Sequence, residues 1–277
     1  MLYFVPTPIG NLSDISAHAL DILSRAEVAI CEDTRVSKQL LNLLSQKFDT
    51  KFNVGEFYSL HTHNESEFFS KFDTEKFRQK ICVYLSDAGM PCISDPGVSL
   101  VKFALQNGID YEVLSGANAL LLAVAASGIV EKEFSFLGFV PNTGKERICA
   151  IENLMKSPYP CVIYESPKRV LNLVENLEKI DKNREIFLIK EATKKFETKF
   201  KGKICEVLSN LKEANLNGEW CVVVDKSPNS GFERISENDI LSLEIPPKIK
   251  AKLLAKITGK NSKEIYENLI NIITKNN

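Results

Sequence analysis

Apolar residues along the chain fall into short runs that alternate with stretches of helical spacing. In the first half the runs are 2–5, 28–31, 57–60, 81–85 and 111–114, each with the length and composition of a buried strand. Between them the period changes: Ile15, His18, Ala19, Ile22 and Leu23 form one helical stripe behind the candidate caps Ser13 and Asp14. A second set of runs, 134–139, 161–165, 185–189, 196–200 and 220–224, follows a small apolar helix at 117–127. Strands alternating with helices predict an α/β fold with a sheet that is at least partly parallel. The segments 185–190 and 195–201 lie too close together for a helical crossover, which predicts an antiparallel hairpin and a mixed second sheet. Two α/β domains, 1–116 and 117–226, are expected with a ligand cleft between them.

Residues 226–240 are polar and read as a linker. Beyond it, 240–277 carries two apolar stripes, Ile249, Leu253, Leu254 and Ile257, then Ile265, Tyr266, Leu269, Ile270 and Ile273. Thr258-Gly259 separates them and Asn261-x-x-Glu264 caps the second, so a small helical domain with the outline of a helix-turn-helix is expected. Lys248, Lys250, Lys252, Lys256, Lys260 and Lys263 decorate it, with no acidic residue between 246 and 263. Such a run is ordinarily a solvated face; unopposed, it is also the footprint that phosphate contacts need.

Charge sharpens this picture. The whole chain balances 35 basic against 36 acidic residues over 277 positions, so any nucleic-acid footprint must be local. No apolar run approaches the roughly 18 residues of a membrane span, and Pro6 and Pro8 interrupt the first strand too early for a signal peptide. A cytoplasmic protein that does not enter a membrane is expected. The seven cysteines contain no Cys-x-x-Cys pair and sit mostly in apolar runs, which reads as buried thiols in a reducing compartment. No cysteine stands at ligand spacing from His18, His61 or His63, so no metal site is expected.

Candidate chemistry gathers where strands end. Strand four stops at Leu85 and gives way to Ser86-Asp87-Ala88-Gly89-Met90-Pro91-Cys92-Ile93-Ser94-Asp95-Pro96-Gly97, far more turn-forming sequence than a plain connection of about 2 to 6 residues requires. The space beyond the carboxyl ends of such strands is where doubly wound sheets hold ligands. Strand one ends in Pro6-Thr7-Pro8-Ile9-Gly10-Asn11-Leu12, strand two in Glu32-Asp33-Thr34-Arg35 and strand three in His61-Thr62-His63-Asn64-Glu65. Neither Gly-x-Gly-x-x-Gly nor a Walker pattern occurs, which disfavours nucleotide sites of those types.

These motifs, with Gly138-Phe139-Val140-Pro141, Tyr164-Glu165-Ser166-Pro167-Lys168-Arg169 and Glu191-Ala192-Thr193-Lys194-Lys195-Phe196-Glu197, occur in the same order in the tetrapyrrole methylase superfamily. The chain closely resembles that superfamily's bacterial ribose 2′-O-methyltransferases, which act on a cytidine of 16S ribosomal RNA. The likeness spans about residues 2 to 225, and the basic tail resembles that family's small C-terminal domain. It implies a homodimer that binds S-adenosylmethionine between two α/β domains and takes 16S rRNA in the small ribosomal subunit as substrate.

By position, the resemblance implies that Pro8 and Gly10 line the cofactor cleft, with Asp87, Ala88, Gly89 and Ile93 around the methionine and ribose parts. It further implies a third wall of Ser115, Gly116 and Ala117, and an adenine face formed by Tyr164, Thr193 and Gly218. The family usually has Pro-Gly-Pro or Pro-Gly-Ala at that wall, so Ser115 and Asn118 are departures. Methyl transfer to a hydroxyl gains from a proton acceptor, for which Glu32, Asp33, His63 and Glu165 are candidates; late, solvent-assisted deprotonation is the alternative. Asn11, Arg35, Arg169, Lys194, Lys248, Lys252 and Lys256 are candidates for holding RNA, though Arg35, Arg169 and Lys194 could equally pair with Glu32, Glu165 and Glu191. A tetrapyrrole C-methylase and a non-catalytic RNA-binding assembly factor are the competing readings.

Overall fold

The computed structural model describes residues 1–228 and 236–275, with side chains as far as residue 271. Residues Met1–Ser230 form one compact unit and Gly231–Asn277 another. The first unit contains two five-stranded sheets.

The first sheet comprises β1 (Leu2–Val5), β2 (Val28–Cys31), β3 (Glu56–Ser59), β4 (Cys82–Leu85) and β5 (Tyr111–Val113) in the order β3-β2-β4-β1-β5, all parallel. Its central strands are buried on both faces, which is why they read as unbroken apolar runs. Alternation sorts their side chains nonetheless. Phe4, Val28, Ile30 and Tyr84 pack with Leu100, Ala104 and Phe77 on one face. Val5, Ala29, Cys31 and Leu85 pack with Ile22, Leu23, Leu41 and Leu44 on the other. The order puts β1, β2 and β4 side by side, so the polar segments that follow them emerge at one edge.

The second sheet comprises β6 (Ser135–Phe139), β7 (Cys161–Glu165), β8 (Glu185–Lys190), β9 (Thr198–Lys203) and β10 (Trp220–Val224) in the order β6-β7-β10-β8-β9. Only β6 and β7 are parallel; β8 and β9 form the expected antiparallel hairpin, and β10 runs antiparallel between β7 and β8. Ile163, Leu188 and Val222 face the helices Val170–Asp181 and Ile204–Glu213 through Leu173, Leu177, Val207 and Leu211. Val162, Phe187, Ile189 and Val223 face Leu120 and Ala123 of the helix Ala119–Ser127.

Several local expectations are corrected. Ser16, not Ser13 or Asp14, caps the first α-helix, Ala17–Arg25, by accepting from the Ala19 amide; the earlier pair belongs to a short 3-10 turn. The small apolar helix starts at Ala119 because the Asn118 side chain accepts from the Leu121 amide at 3.2 Å. The last strand of the hairpin starts at Thr198, leaving Phe196 in the preceding loop.

In the second unit the helices are Glu237–Ser242, Pro247–Thr258 and Ser262–Lys275. The first of these begins within the stretch expected to be linker, where Ser236 and Asp239 form a reciprocal cap; the linker positions 229–235 lie outside the described residues. Gly259, at φ 70°, makes the left-handed turn between the two longer helices. Ala251 and Leu254 carry the buried face, whereas Ile249 and Ile257 are about half exposed, so the apolar stripe is narrower than its spacing predicts.

Candidate active site

The loop after β4 is cross-tied. Thr7 and Gly89 exchange backbone hydrogen bonds at 3.0 and 3.1 Å, joining the segment after β1 to the segment after β4. Ser86 donates its hydroxyl to the Gly89 carbonyl at 3.1 Å. Asp95 accepts from the amides of Cys92 at 3.0 Å and Gly97 at 2.7 Å, and from the Tyr84 hydroxyl at 3.1 Å. One carboxylate thereby stabilises a turn in which Cys92 takes a left-handed conformation, φ 69°.

These ties shape one wall of a cavity of about 460 Å³ between the two sheets. Among the expected residues, Glu32, Ala88, Gly89, Ile93, Tyr164 and Glu165 line it. Phe139, Ile189 and Trp220 make its apolar side on the second sheet. Other expected residues border it through their neighbours: Ala117 precedes the lining Asn118, Thr193 follows Ala192, and Gly218 precedes Glu219. Pro8, Gly10, Asp87, Ser115 and Gly116 are not part of the lining.

Four of the expected glycines also let loops meet closely. A Cβ on Gly10 would fall inside contact distance of Lys194 Cγ and 2.8 Å from Thr193 Oγ1; on Gly116 it would lie 2.5 Å from Pro6 Cβ. On Gly89 it would meet Ile9 at 3.0 Å, and on Gly218 it would meet Glu191 Cγ at 2.6 Å. Each glycine lets one loop approach another. The Gly10 contact joins the two halves of the unit, and the Asn11 amide donates to Thr193 Oγ1 at 3.0 Å beside it.

The candidate proton acceptors separate by environment. Glu32 lines the cavity, and burial, then the nearby Asp87 charge, raises its carboxyl above the usual range. Asp87 is raised for the same leading reason, and it accepts from the Asp33 amide at 3.1 Å. Asp33 points away: its hydrogen bonds with the Arg35 side chain hold it down at about 2, and it caps the helix Thr34–Phe48. His63 is exposed and does not line the cavity, while the Nδ1 of His61 is buried without a hydrogen-bond partner. Glu165 is fully buried and accepts from Arg147 at 3.0 Å, Arg169 at 2.7 Å and the Ser166 amide at 2.8 Å. Three donors hold its carboxylate in the cavity wall.

Of the candidate RNA contacts, Arg35 is free to reach outward, its side chain 89% exposed despite the Asp33 pair. Arg169 is committed to Glu165, and Lys194 bridges Glu191 and Glu219 at 2.9 and 2.8 Å. In the second unit Lys248 and Lys252 line a concavity with Lys263, Asn261 and Tyr266, whereas Lys256 lies outside it. Lys250 donates to the Leu241 carbonyl.

Sequence reasoning missed Arg147 and passed over Asp95 and Asn118. A signal for Arg147 exists: with Ile151 and Leu154 it falls at i, i+4, i+7 on the buried face of the helix Gly144–Met155, where a cation requires a partner.

Comparison with known proteins agrees with this architecture. The profile of the tetrapyrrole (corrin/porphyrin) methylases matches residues 1–208. A Campylobacter fetus protein named ribosomal RNA small subunit methyltransferase I is 63% identical over 98% of this chain and 100% of its own length. A protein of the same name from Helicobacter pylori is 42% identical over 96% of each chain. Among solved structures, uroporphyrin-III C-methyl transferase from Thermus thermophilus, complexed with S-adenyl homocysteine, superposes with a TM-score of 0.54 at 17% identity, over 80% of this chain and 96% of that one. This last likeness carries the fold alone. With two sheets enclosing a carboxylate-bearing cavity and relatives matched end to end, the chain belongs to the tetrapyrrole methylase family, among the ribosomal RNA small subunit methyltransferase I proteins.

Proposed function

We propose that this protein uses S-adenosylmethionine to methylate the ribose 2′-oxygen of a cytidine in 16S ribosomal RNA of the small subunit, acting in the cytoplasm as a homodimer. The names of its full-length relatives support an RNA of the small subunit as substrate and leave the tetrapyrrole C-methylase reading without support. No helix among the described residues is long and apolar enough to cross a membrane.

The cavity suits this cofactor. Its described lining carries Glu32 and Asp95, besides Glu165 and Glu219, which are already paired with arginine and lysine; the two carboxylates without a cationic partner favour a ligand bearing sulfonium and ammonium charges. Ile93, Phe139, Ile189 and Tyr164 offer apolar surface for an adenine ring. S-adenosylmethionine supplies, when bound, a methyl group already activated on a sulfonium. What the chain adds is orientation and proton management. Glu32 carries the reading: it lines the cavity, and an ionised Glu32 carboxylate takes the 2′-hydroxyl proton as the oxygen becomes a nucleophile, its proton affinity raised above the usual carboxylate range by burial. Arg147 and Arg169 hold Glu165 as part of the wall. Arg35 and the tail lysines Lys248, Lys252 and Lys263 contribute phosphate contacts.

Small subunits from a strain lacking the gene, incubated with the protein and cofactor and digested to nucleosides, should yield 2′-O-methylcytidine by mass spectrometry. Absence of that product refutes the proposal. A non-catalytic assembly factor would instead bind subunits without measurable cofactor affinity by calorimetry. Sedimentation at working concentrations tests the dimer.

A further inference from the structure

We infer that Phe196 is a base-stacking platform for the RNA substrate, on which a nucleobase flanking the target nucleotide rests while that nucleotide enters the cavity. The inference rests on the RNA-methyltransferase reading above. Phe196 is 72% exposed, the most exposed of the large apolar side chains among the described residues. An exposed phenyl ring carries the cost of unburied apolar surface, and a binding surface is where such a ring gains a partner.

Three features single it out. First, the loop that carries it is rigid. The Glu191 carboxylate accepts from the Glu219 amide at 2.9 Å and from Lys194 at 2.9 Å. The Thr193 amide donates to Glu197 at 2.7 Å, and the Phe196 carbonyl accepts from the Thr198 hydroxyl at 3.1 Å. Glu191 and Thr193 are both held in left-handed conformations, φ 53° and 65°, which such bonding must sustain. A ring presented on a fixed loop loses little entropy on binding.

Second, the loop is anchored at the cleft. Ala192 lines the cavity and Thr193 is bonded to Asn11, so Phe196 stands four residues, and at most about 14 Å, from the cavity wall at Ala192. Third, a cation lies against the ring. Lys195 Nζ is 5.5 Å from the ring centroid, and Lys199 and Lys201 follow on β9, paired with Glu197 at 2.8 Å and Glu185 at 3.5 Å. A lysine over one aromatic face beside further cations is the arrangement that single-stranded nucleic acid uses, the base on the ring and the phosphates on the amines. A ribose in duplex RNA cannot deliver its 2′-oxygen into a recessed cavity without unstacking its neighbours, and a ring on a loop that reaches the cavity wall can replace the stacking that is lost.

The test uses the full-length protein with small subunits lacking the modification. Phe196→Ala should raise KM for subunits by about tenfold while leaving kcat and the calorimetric affinity for S-adenosylmethionine unchanged. Phe196→Trp should restore KM, and its added fluorescence should be quenched by a single-stranded oligoribonucleotide; Phe196→Leu, apolar but without a π-face, should fail to restore it. If leucine substitutes fully, or if alanine changes only the sedimentation coefficient, the ring makes a protein contact and the inference is overturned. If the unmodified protein yields no 2′-O-methylcytidine at all, the functional proposal itself has failed, and oligoribonucleotide quenching of the Trp variant still decides whether the ring stacks on bases.

Discussion

Replacing Glu165 by Gln separates structure from catalysis at this site. The carboxylate is fully buried, and Arg147, which it pairs at 3.0 Å, is only 7% exposed. Gln keeps the volume but loses the charge, and its single oxygen cannot serve both arginines; one guanidinium then faces an amide donor. Breaking a buried pair in this way costs about 3 kcal/mol at the lower end, because an uncompensated cation stays behind. For a unit of this size that corresponds to a fall in Tm of roughly 6 to 12 °C. Arg147 Nη2 already lacks a partner, so little slack remains to absorb the change. Removing the stranded cation as well, in Arg147→Met/Glu165→Gln, should recover part of the loss. Thermal denaturation followed by circular dichroism, in parallel with single-turnover methylation at saturating substrate, measures both consequences. The expected outcome is a lower Tm with the methyl-transfer rate of the folded fraction within severalfold of normal. A Tm within about 1 °C of the original together with collapse of the single-turnover rate would show that Glu165, not Glu32, takes the proton.

Glu32→Gln should leave folding intact and reduce kcat by about a hundredfold or more. With Glu32 present, activity should fall as pH drops through a value above the ordinary carboxylate range, since protonation removes the acceptor; the Gln variant should lose this acidic limb. Gly10→Ala forces a methyl group into Lys194 and Thr193, so chemical denaturation should show a loss of about 1 to 3 kcal/mol and calorimetry a weaker cofactor affinity. Unchanged values would mean that the two loops do not meet at Gly10. Lys248→Gln/Lys252→Gln should lower affinity for subunits and flatten its salt dependence by about one to two phosphate contacts, with cofactor affinity unaltered. Equal loss of both affinities would make these lysines structural.

Much of this protein is legible in one dimension. Apolar runs of strand length mark β1, β2, β4 and β10 because each is buried on both faces, and burial selects composition locally. The close spacing of 185–190 and 195–201 settles an antiparallel hairpin, since too few residues separate them for a crossover. The polar segments after β1, β2 and β4 mark the ligand edge for the same reason: a parallel sheet brings all its carboxyl ends to one side. What only tertiary structure decides is which side chains meet across that edge. Gly10, Gly89, Gly116 and Gly218 look alike in sequence as places for a ligand to approach, yet each accommodates a neighbouring loop whose position depends on packing far along the chain. Glu32 follows β2 and Glu165 ends β7, both at the cavity, but only the fold brings two arginines to Glu165 and sets Glu32 beside Asp87. Composition and spacing are local properties and can be read along the chain; proton affinity and partner choice depend on desolvation and charges brought together across it, and these exist only once the chain has folded.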